Sequence, residues 1–210
     1  MRLIKTFPGR LQLLNGLTFS KKNNDQSVYL TFDDGPHEKL TKWVLDCLKE
    51  NDIPATFFLS GNQTSTNPGL VNDILDEHHA VGNHTQSHIN GWKSSTVNYL
   101  REVRYWENSW CKATGQPPPS LFRPPYGKLT PGQFIALRKK GYQVILWSLM
   151  SYDFDHSFSV EKLLEVLVKK TQSGSIIVFH ENDKTVNRLP EILPEYIKRI
   201  REKGMTFASL

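Results

Sequence analysis

Hydrophobic and polar positions follow two alternating periods along most of the chain. Short runs rich in β-branched and aromatic residues, such as "SVYLTF" at 27–32 and "SIIVFH" at 175–180, are typical of buried strands. Between such runs lie longer segments with apolar residues three or four positions apart, and Leu40, Val44 and Leu48 share one helical face in the first of them. Strands alternating with helices favour a parallel sheet.

The full pattern gives about seven β/α units with no linker between them. The predicted strands cover 27–32, 55–61, 79–84, 120–127, 142–150, 175–181 and 205–210. The predicted helices cover 37–52, 67–78, 94–115, 130–141, 159–174 and 190–204. We therefore expect a single α/β domain over 27–210, a parallel sheet closed into a barrel, preceded by an N-terminal extension of uncertain structure over 1–26.

Composition changes this picture little. The 210 residues are enough for one sizeable core, and 38% hydrophobic with 22% charged residues is ordinary for a globular protein. The net charge of +5 fits an anionic partner. However, the basic residues form no stripe with interleaved aromatics, so we expect no nucleic acid partner. Cys47 and Cys111 lie far from any CxxC spacing, which is typical of ordinary small thiols.

The N-terminal stretch is basic but holds no uninterrupted apolar run, because Pro8, Gly9, Arg10, Asn15 and Gly16 break it. No stretch of the sequence approaches the length of a membrane span. We therefore expect neither an export signal nor a transmembrane anchor. The compartment stays open between the cytoplasm and the cell envelope, and a monomer is the default expectation.

Ionisable side chains gather where the predicted strands end. They are Asp33 and Asp34 after the first strand, His84 and His88 after the third, Arg123 after the fourth, Asp153 after the fifth and His180 at the end of the sixth. In a parallel β/α barrel the carboxyl ends of all strands meet at one face, where active sites lie. The sequence therefore predicts a reaction centre at this face.

The segment "HTQSH" places His84 and His88 four residues apart, so on a helical turn both imidazoles would point to the same side. One carboxylate added to this pair makes a two-histidine, one-carboxylate metal site with open positions. Alone, the spacing favours two surface histidines on a helix, but aspartates at another strand end favour a metal site. Zinc is the default, and iron(II), cobalt or nickel suit the same ligands.

The adjacent carboxylates of Asp33 and Asp34 can have different roles. Successive side chains of an extended segment point to different sides, so one aspartate could bind the metal while the other faces a water molecule. A second titratable group must then protonate the leaving group. His180 ends an apolar strand and fits that need, although a satisfied core histidine explains it equally well.

The segments "TFDDGP", "HTQSH" and "RPPYG", followed by the strand ending in His180, occur in an order that resembles the polysaccharide deacetylase family. This family is also called the NodB homology domain or carbohydrate esterase family 4. The resemblance covers about 27–210. It implies a distorted (β/α)7 barrel and metal-dependent hydrolysis of N-acetyl groups from amino sugars of a peptidoglycan- or chitin-type glycan.

The resemblance also implies residue roles. Asp33 would be the catalytic base, and the metal ligands would be Asp34, His84 and His88. Arg123 would pair with the base and keep it ionised, and His180 would be the general acid. The backbone N–H of Tyr126 would stabilise the oxyanion, and Val178 would line a pocket for the acetyl methyl group. Trp92, near a loop, could stack on a sugar ring, although isolated aromatics more often simply pack.

The stretch "WSLMSYDFD" departs from the family pattern. Met150 stands where an aspartate is frequent, and Phe154 stands where tryptophan is usual. Asp153 fits the carboxylate that would orient His180, with Asp155 as a rival. These departures concern the wall of the groove that would face the sugar more than the residues that would carry out the reaction.

Three other functions compete with the leading hypothesis. An O-acetyl esterase on a xylan-type polysaccharide would use the same chemistry. A non-catalytic glycan-binding module would be expected to have lost a metal ligand or the base, and this sequence keeps both. A metal phosphoesterase would be expected to have a second metal site, and the sequence contains one set of candidate metal ligands.

Overall fold

The computed structural model describes residues 17–21 and 26–210, so most of the predicted N-terminal extension lies outside the described residues. The strands are β1 Leu17–Thr18, β2 Ser27–Asp33, β3 Thr56–Leu59, β4 Ala80–Asn83, β5 Leu121–Phe122, β6 Gln143–Ile145, β7 Leu149–Met150, β8 Ile176–His180 and β9 Thr206–Ala208. The helices are α1 Leu40–Glu50, α2 Gly61–Thr66, α3 Pro68–Asp76, α4 Thr96–Thr114, α5 Pro131–Lys139, α6 Val160–Lys170 and α7 Leu189–Glu202.

All named strands join one parallel sheet in the order β1-β6-β5-β4-β3-β2-β8-β7, with β9 beside β2. β6 lies next to one end of this order and β7 lies at the other, yet only residues 146–148 separate them in the chain. The sheet must therefore curl round on itself. This confirms the predicted distorted α/β barrel.

The fifth predicted strand, 142–150, is wrong as a single element. Its first half, β6, pairs with β5, whereas its second half, β7, pairs with β8. At the break, the backbone N–H of Leu146 donates to the carbonyl of Thr18 and that of Ser148 donates to the carbonyl of Ile176. Each half pairs with a different neighbouring strand. A uniformly apolar run of residues does not show where such a change of partner occurs.

The strand β1 extends the fold into the segment assigned to the N-terminal extension. Leu17 pairs with Val144 and Thr18 pairs with Ile145, on the free side of β6. Phe19 is buried in the same core cluster as Ile145 and Trp147. Residues before 27 thus contribute to the packed sheet.

Capping residues define the ends of two helices. Thr130 and Gln133 form a reciprocal capping box at the start of α5, and Ser95 accepts a hydrogen bond from the backbone N–H of Asn98 at the start of α4. Gly115 ends α4 with a left-handed φ of 69°. The short polar helix α2 has no apolar period and was not predicted.

The two faces of the central strands belong to two core clusters. In β2, Val28, Leu30 and Phe32 pack with the surrounding helices, whereas Tyr29 packs in a second cluster with Phe58 and Val178. Because side chains alternate along a strand, Thr31 and Asp33 continue the face of Tyr29, toward the interior of the curled sheet. The alternation of side chains along β2 therefore points the Asp33 side chain toward the interior of the curled sheet.

No helix among the described residues is long and apolar enough to cross a membrane.

Candidate active site

Asp33 is fixed by a buried arginine at the end of β2. Arg123 is fully buried, and its Nη1 donates to Asp33 Oδ1 at 2.6 Å and to Thr31 Oγ1 at 2.7 Å. Its Nη2 donates to the carbonyl of Leu146 at 3.1 Å. The guanidinium also lies 4.0 Å from the ring centroid of Phe58. Asp33 is thereby held in one orientation by a charge-assisted hydrogen bond.

Burial and Arg123 act on Asp33 in opposite directions. Burial raises the pKa of Asp33, and the guanidinium of Arg123 opposes that rise without cancelling it. Arg123 thus lowers the pKa of Asp33 as expected, but burial has the larger effect and the net shift is upward. A raised pKa suits a carboxylate that must accept a proton near neutral pH.

Asp34 turns away from the strand. Its φ of 78° is left-handed, so the expectation of an extended Asp33–Asp34 pair is wrong, although the two side chains still separate. Asp34 Oδ2 accepts a hydrogen bond from Asn182 Nδ2 at 2.8 Å. Asp34 Oδ1 is buried and accepts no hydrogen bond from the described residues.

His84 and His88 lie on a loop after β4, not on the predicted helical turn. Thr85 and His88 have left-handed φ values of 63° and 55°, and Asn83 Oδ1 accepts the backbone N–H of Thr85 at 2.8 Å. The loop folds back on itself and brings the two imidazole centroids to 5.0 Å. The two histidines therefore lie together as predicted, but the helical turn expected for them is wrong.

Both histidines turn one nitrogen toward Asp34. His84 Nδ1 lies 2.8 Å from the carbonyl oxygen of Arg123, to which it donates, and His88 Nδ1 lies 3.2 Å from the hydroxyl of Tyr126. Their Nε2 atoms lie 3.7 and 3.2 Å from Asp34 Oδ1. Burial lowers the pKa of each histidine to about 4, so both are neutral near pH 7.

The donor set fits a divalent metal. One ligand atom from each of Asp34, His84 and His88 lies within 4.8 Å of the others. The orphaned Oδ1 of Asp34 and two neutral imidazole nitrogens are the donors that zinc and related ions prefer. A bound cation would supply the partner that this buried oxygen lacks.

His180 is held by Asp153. Asp153 is fully buried, its Oδ1 accepts from His180 Nδ1 at 2.8 Å, and its Oδ2 accepts the backbone N–H of His180 at 2.7 Å. Burial disfavours protonation of His180, but Asp153, with smaller contributions from Asp34 and Asp33, outweighs it and raises the pKa to about 9. The rival Asp155 instead accepts hydrogen bonds from Ser157.

One cavity of about 400 Å³ is bordered by Asp33, Asp34, His84, His88 and His180. Register pairs Asp33 with His180 across β2 and β8, so the two meet at the same mouth. The cavity wall also includes Tyr126, Trp147, Met150, Phe154, Asn182 and Lys184. The ring of Phe154 meets His180 edge-on at 5.1 Å, so the two departures from the family pattern, Met150 and Phe154, both face the cavity.

Two predicted substrate residues lie elsewhere. Val178 is fully buried in the core cluster with Phe58 and Trp147 and does not line this cavity, because it sits mid-strand in β8. Trp92 lines a neighbouring apolar cavity of about 440 Å³ together with Phe19 and Phe134. The expectation that Val178 lines this cavity is therefore wrong, and the expected stacking of Trp92 on a sugar ring would have to take place outside it.

Sequence reasoning missed two polar residues after β8. Asn182 binds Asp34, and Glu181 is buried beside Gly35, where a Cβ would come within 2.2 Å of Glu181 Oε2. Burial raises the pKa of Glu181 to about 8. Their only sequence signal was their position directly after His180 at a strand end.

Comparison with known proteins connects this geometry to a family. Residues 20–145 match the family model for polysaccharide deacetylase. A peptidoglycan-N-acetylglucosamine deacetylase of Bacillus cereus is 35% identical over 202 residues, which cover 92% of this chain and 91% of the relative. A chitooligosaccharide deacetylase of Bradyrhizobium is 29% identical over 189 residues, covering 83% of this chain and 86% of the relative.

A solved structure has the same architecture. The crystal structure of a peptidoglycan N-acetylglucosamine deacetylase in complex with a naphthyl-substituted N-hydroxybenzamide superimposes with a TM-score of 0.89 and 29% sequence identity. The match covers 97% of this chain and 94% of that chain. The whole described fold therefore has a counterpart.

Proposed function

Because the chain belongs to the polysaccharide deacetylase family, we propose that it is a metal-dependent hydrolase that removes N-acetyl groups from the amino sugars of a peptidoglycan- or chitin-type glycan. The observation that carries this proposal is the meeting of one metal donor set with Asp33 and His180 in a single cavity. We assign the catalytic domain to the predicted 27–210 together with β1.

Asp34, His84 and His88 would hold one divalent metal ion, with zinc as the first choice and cobalt, nickel or iron(II) as alternatives. When bound, the ion would polarise the acetyl carbonyl and promote ionisation of a water molecule. Asn182 fixes the Asp34 carboxylate through Oδ2, which leaves Oδ1 free for ligation.

Asp33 is proposed to accept the proton of the attacking water. Arg123 and its partners Thr31 and Leu146 hold the carboxylate in place, so little reorganisation accompanies the proton transfer. Arg123 acts through Asp33 and is a positioning residue.

His180 is proposed to protonate the departing amine. Asp153 holds Nδ1, which leaves Nε2 for the leaving group, and the raised pKa keeps the imidazole protonated near neutral pH. The backbone N–H of Tyr126 is assigned to the oxyanion, and Trp147 and Met150 supply the apolar wall near the acetyl methyl group.

Acetate release from N-acetylglucosamine oligomers with added zinc or cobalt tests the proposal. Asp33→Asn and His180→Ala should each lower kcat by about 100-fold or more, because each removes one proton-transfer group. Asp155→Asn is the matched control, since Asp155 lies outside the cavity. Equal acetate release by the wild type and both variants would refute the assignment, and acetylxylan in a parallel assay distinguishes an O-acetyl esterase.

A further inference from the structure

Two exposed aromatic side chains flank a lysine beside the catalytic cavity. Trp92 and Tyr126 are 66% and 56% exposed, the two most exposed aromatic side chains among the described residues. Lys128 Nζ lies 5.3 Å from the ring centroid of Trp92 and 5.7 Å from that of Tyr126. We call Trp92, Tyr126 and Lys128 the aromatic platform.

The platform is held in place although it faces solvent. Trp92 Nε1 donates to the carbonyl of Leu129 at 3.4 Å, and its backbone N–H donates to Asn90 Oδ1 at 3.0 Å. A Cβ on Gly91 would come within 2.3 Å of the carbonyl oxygen of Lys128, so the two platform segments are in close contact. An aromatic ring that is exposed yet anchored by hydrogen bonds is suited to meet a ligand.

The platform continues the catalytic cavity. Tyr126 lines that cavity, and its ring meets the imidazole of His88 edge-on at 4.5 Å. A glycan with its reacting sugar at Asp34 and His88 would therefore pass Tyr126 before it reached Lys128 and Trp92. A neighbouring sugar is the part of the substrate that this surface can contact.

The charge of Lys128 is uncompensated. Within residues 17–21 and 26–210, no carboxylate forms an ion pair with Lys128 or with Lys184, which lines the cavity. The nearby exposed Asp183 pairs with His37. Two ammonium groups, one in the cavity wall and one on the platform beside it, thus form no ion pair with a carboxylate of the described residues, an arrangement that favours an anionic ligand.

Building on the proposed function, we propose that Lys128 selects glycans in which the sugar next to the reacting one carries a carboxylate. Trp92 and Tyr126 would stack on the apolar faces of the sugar rings, and the ammonium of Lys128 would bind the carboxylate. That carboxylate could belong to a lactyl ether on the sugar or to a peptide attached to it. A neutral chitin-type chain offers Lys128 no such partner.

The test compares affinities, which do not depend on turnover. The zinc-loaded protein is titrated calorimetrically with an N-acetylglucosamine tetramer, with a lactyl-bearing glycan tetramer, and with the same tetramer carrying peptides. The wild type should bind a carboxylate-bearing chain about fivefold more tightly than the neutral one, with a smaller preference at higher salt. Lys128→Gln should bring this ratio close to one, and Lys128→Arg should keep it.

Lys112→Gln is the matched control, because it removes the same charge from an exposed position on α4. Its affinity ratio should equal that of the wild type. An unchanged ratio in Lys128→Gln, or a wild type without preference, would overturn the role of Lys128. Comparing the two anionic chains identifies which carboxylate is bound. Acetate release tests the proposed function separately, so the two can fail independently.

Discussion

His180 depends on one buried carboxylate for its protonated state. Both oxygens of Asp153 bind His180, one through the imidazole and one through the backbone. Burial alone would make this histidine neutral, as it does for His84 and His88. Two of the three cavity histidines are therefore neutral near pH 7 and the third is protonated, because Asp153 hydrogen-bonds the imidazole of His180.

Replacing Asp153 by asparagine should move the alkaline limb of kcat/KM to lower pH by about one unit or more. The acid works only when it is protonated, so activity falls as pH rises through its pKa, and removal of the carboxylate lowers that pKa. A pH–rate profile measures the shift. Asp155→Asn should leave the limb in place, and a profile of Asp153→Asn identical to the wild type would contradict the role of Asp153.

At the residue scale, the proximity of the ionisable side chains was predictable and the backbone conformation was not. Strand-end position predicted that an aspartate after β2 would lie near His84 and His88, and the structure brings Asp34 to both. The left-handed φ values of Asp34 and His88 carry no signal in residue type. The loop that holds the histidines is fixed by a contact with Arg123, which is distant in sequence, and by a hydrogen bond from the backbone of Thr85 to the Asn83 side chain. Asn182 carried no signal beyond its position, since a polar residue after a strand is ordinary.

The strand β4 carries His84 to its place through a tight contact at Gly82. A Cβ at this glycine would come within 2.5 Å of Phe58 Cε1 and 3.0 Å of Leu121 Cβ, on the two neighbouring strands. Any larger side chain must push β4 away from β3 and β5. His84, two residues later, would move with it.

We expect Gly82→Ala to lower the free energy of unfolding by about 1–3 kcal/mol, the usual cost of overpacking, and to weaken zinc binding. Gly69→Ala is the same substitution in α3, where nothing lies within 4 Å of the new methyl group. That control should raise stability by about 0.5–1 kcal/mol, since alanine is the better helix former. Urea unfolding and zinc titration measure both effects, and equal behaviour of the two variants would contradict the packing argument.

Elements with a clear period were predictable from the sequence, and elements defined by their neighbours were not. Helices α1, α4 and α6 follow the apolar spacing, and α4 and α6 begin at serine caps. The division of 142–150 into β6 and β7, and the pairing of β1, depend on which strands lie alongside. That information is absent from local periodicity.

At the scale of the molecule, the candidate metal site joins distant parts of the chain. Asp34 follows β2, His84 and His88 follow β4, and the carbonyl of Arg123, after β5, orients His84. The donor set therefore exists only in the folded protein, and a metal ion bound there would stabilise the fold by mass action. The sequence predicted that these side chains lie together because parallel strands bring their carboxyl ends to one face of the sheet.

Removal of metal by a chelator should lower Tm. At a metal concentration about 100 times Kd the linkage is worth about 2.7 kcal/mol, or about 5–10 °C for a domain of this size. Thermal unfolding with and without chelator, followed by zinc addition, measures the change. His88→Asn should remove the response to chelator.

His78→Asn is the matched control for this experiment. His78 is exposed and, like His88, has a left-handed φ, 62° against 55°, so asparagine suits both positions equally. The His78 variant should keep the full shift with chelator. An equal loss of response in both variants, or a wild type insensitive to verified metal removal, would contradict the ligand assignment.

The gap between β6 and β7 has a consequence for redesign. It releases the carbonyl of Leu146, which accepts an N–H of Arg123 deep inside the protein. A scaffold idealised with one continuous strand here would use that carbonyl in its own ladder and leave a guanidinium N–H without an acceptor, at a cost of about 1–3 kcal/mol. The irregularity is part of the support for Asp33, and a regularised barrel would lose the orientation of this carboxylate along with it.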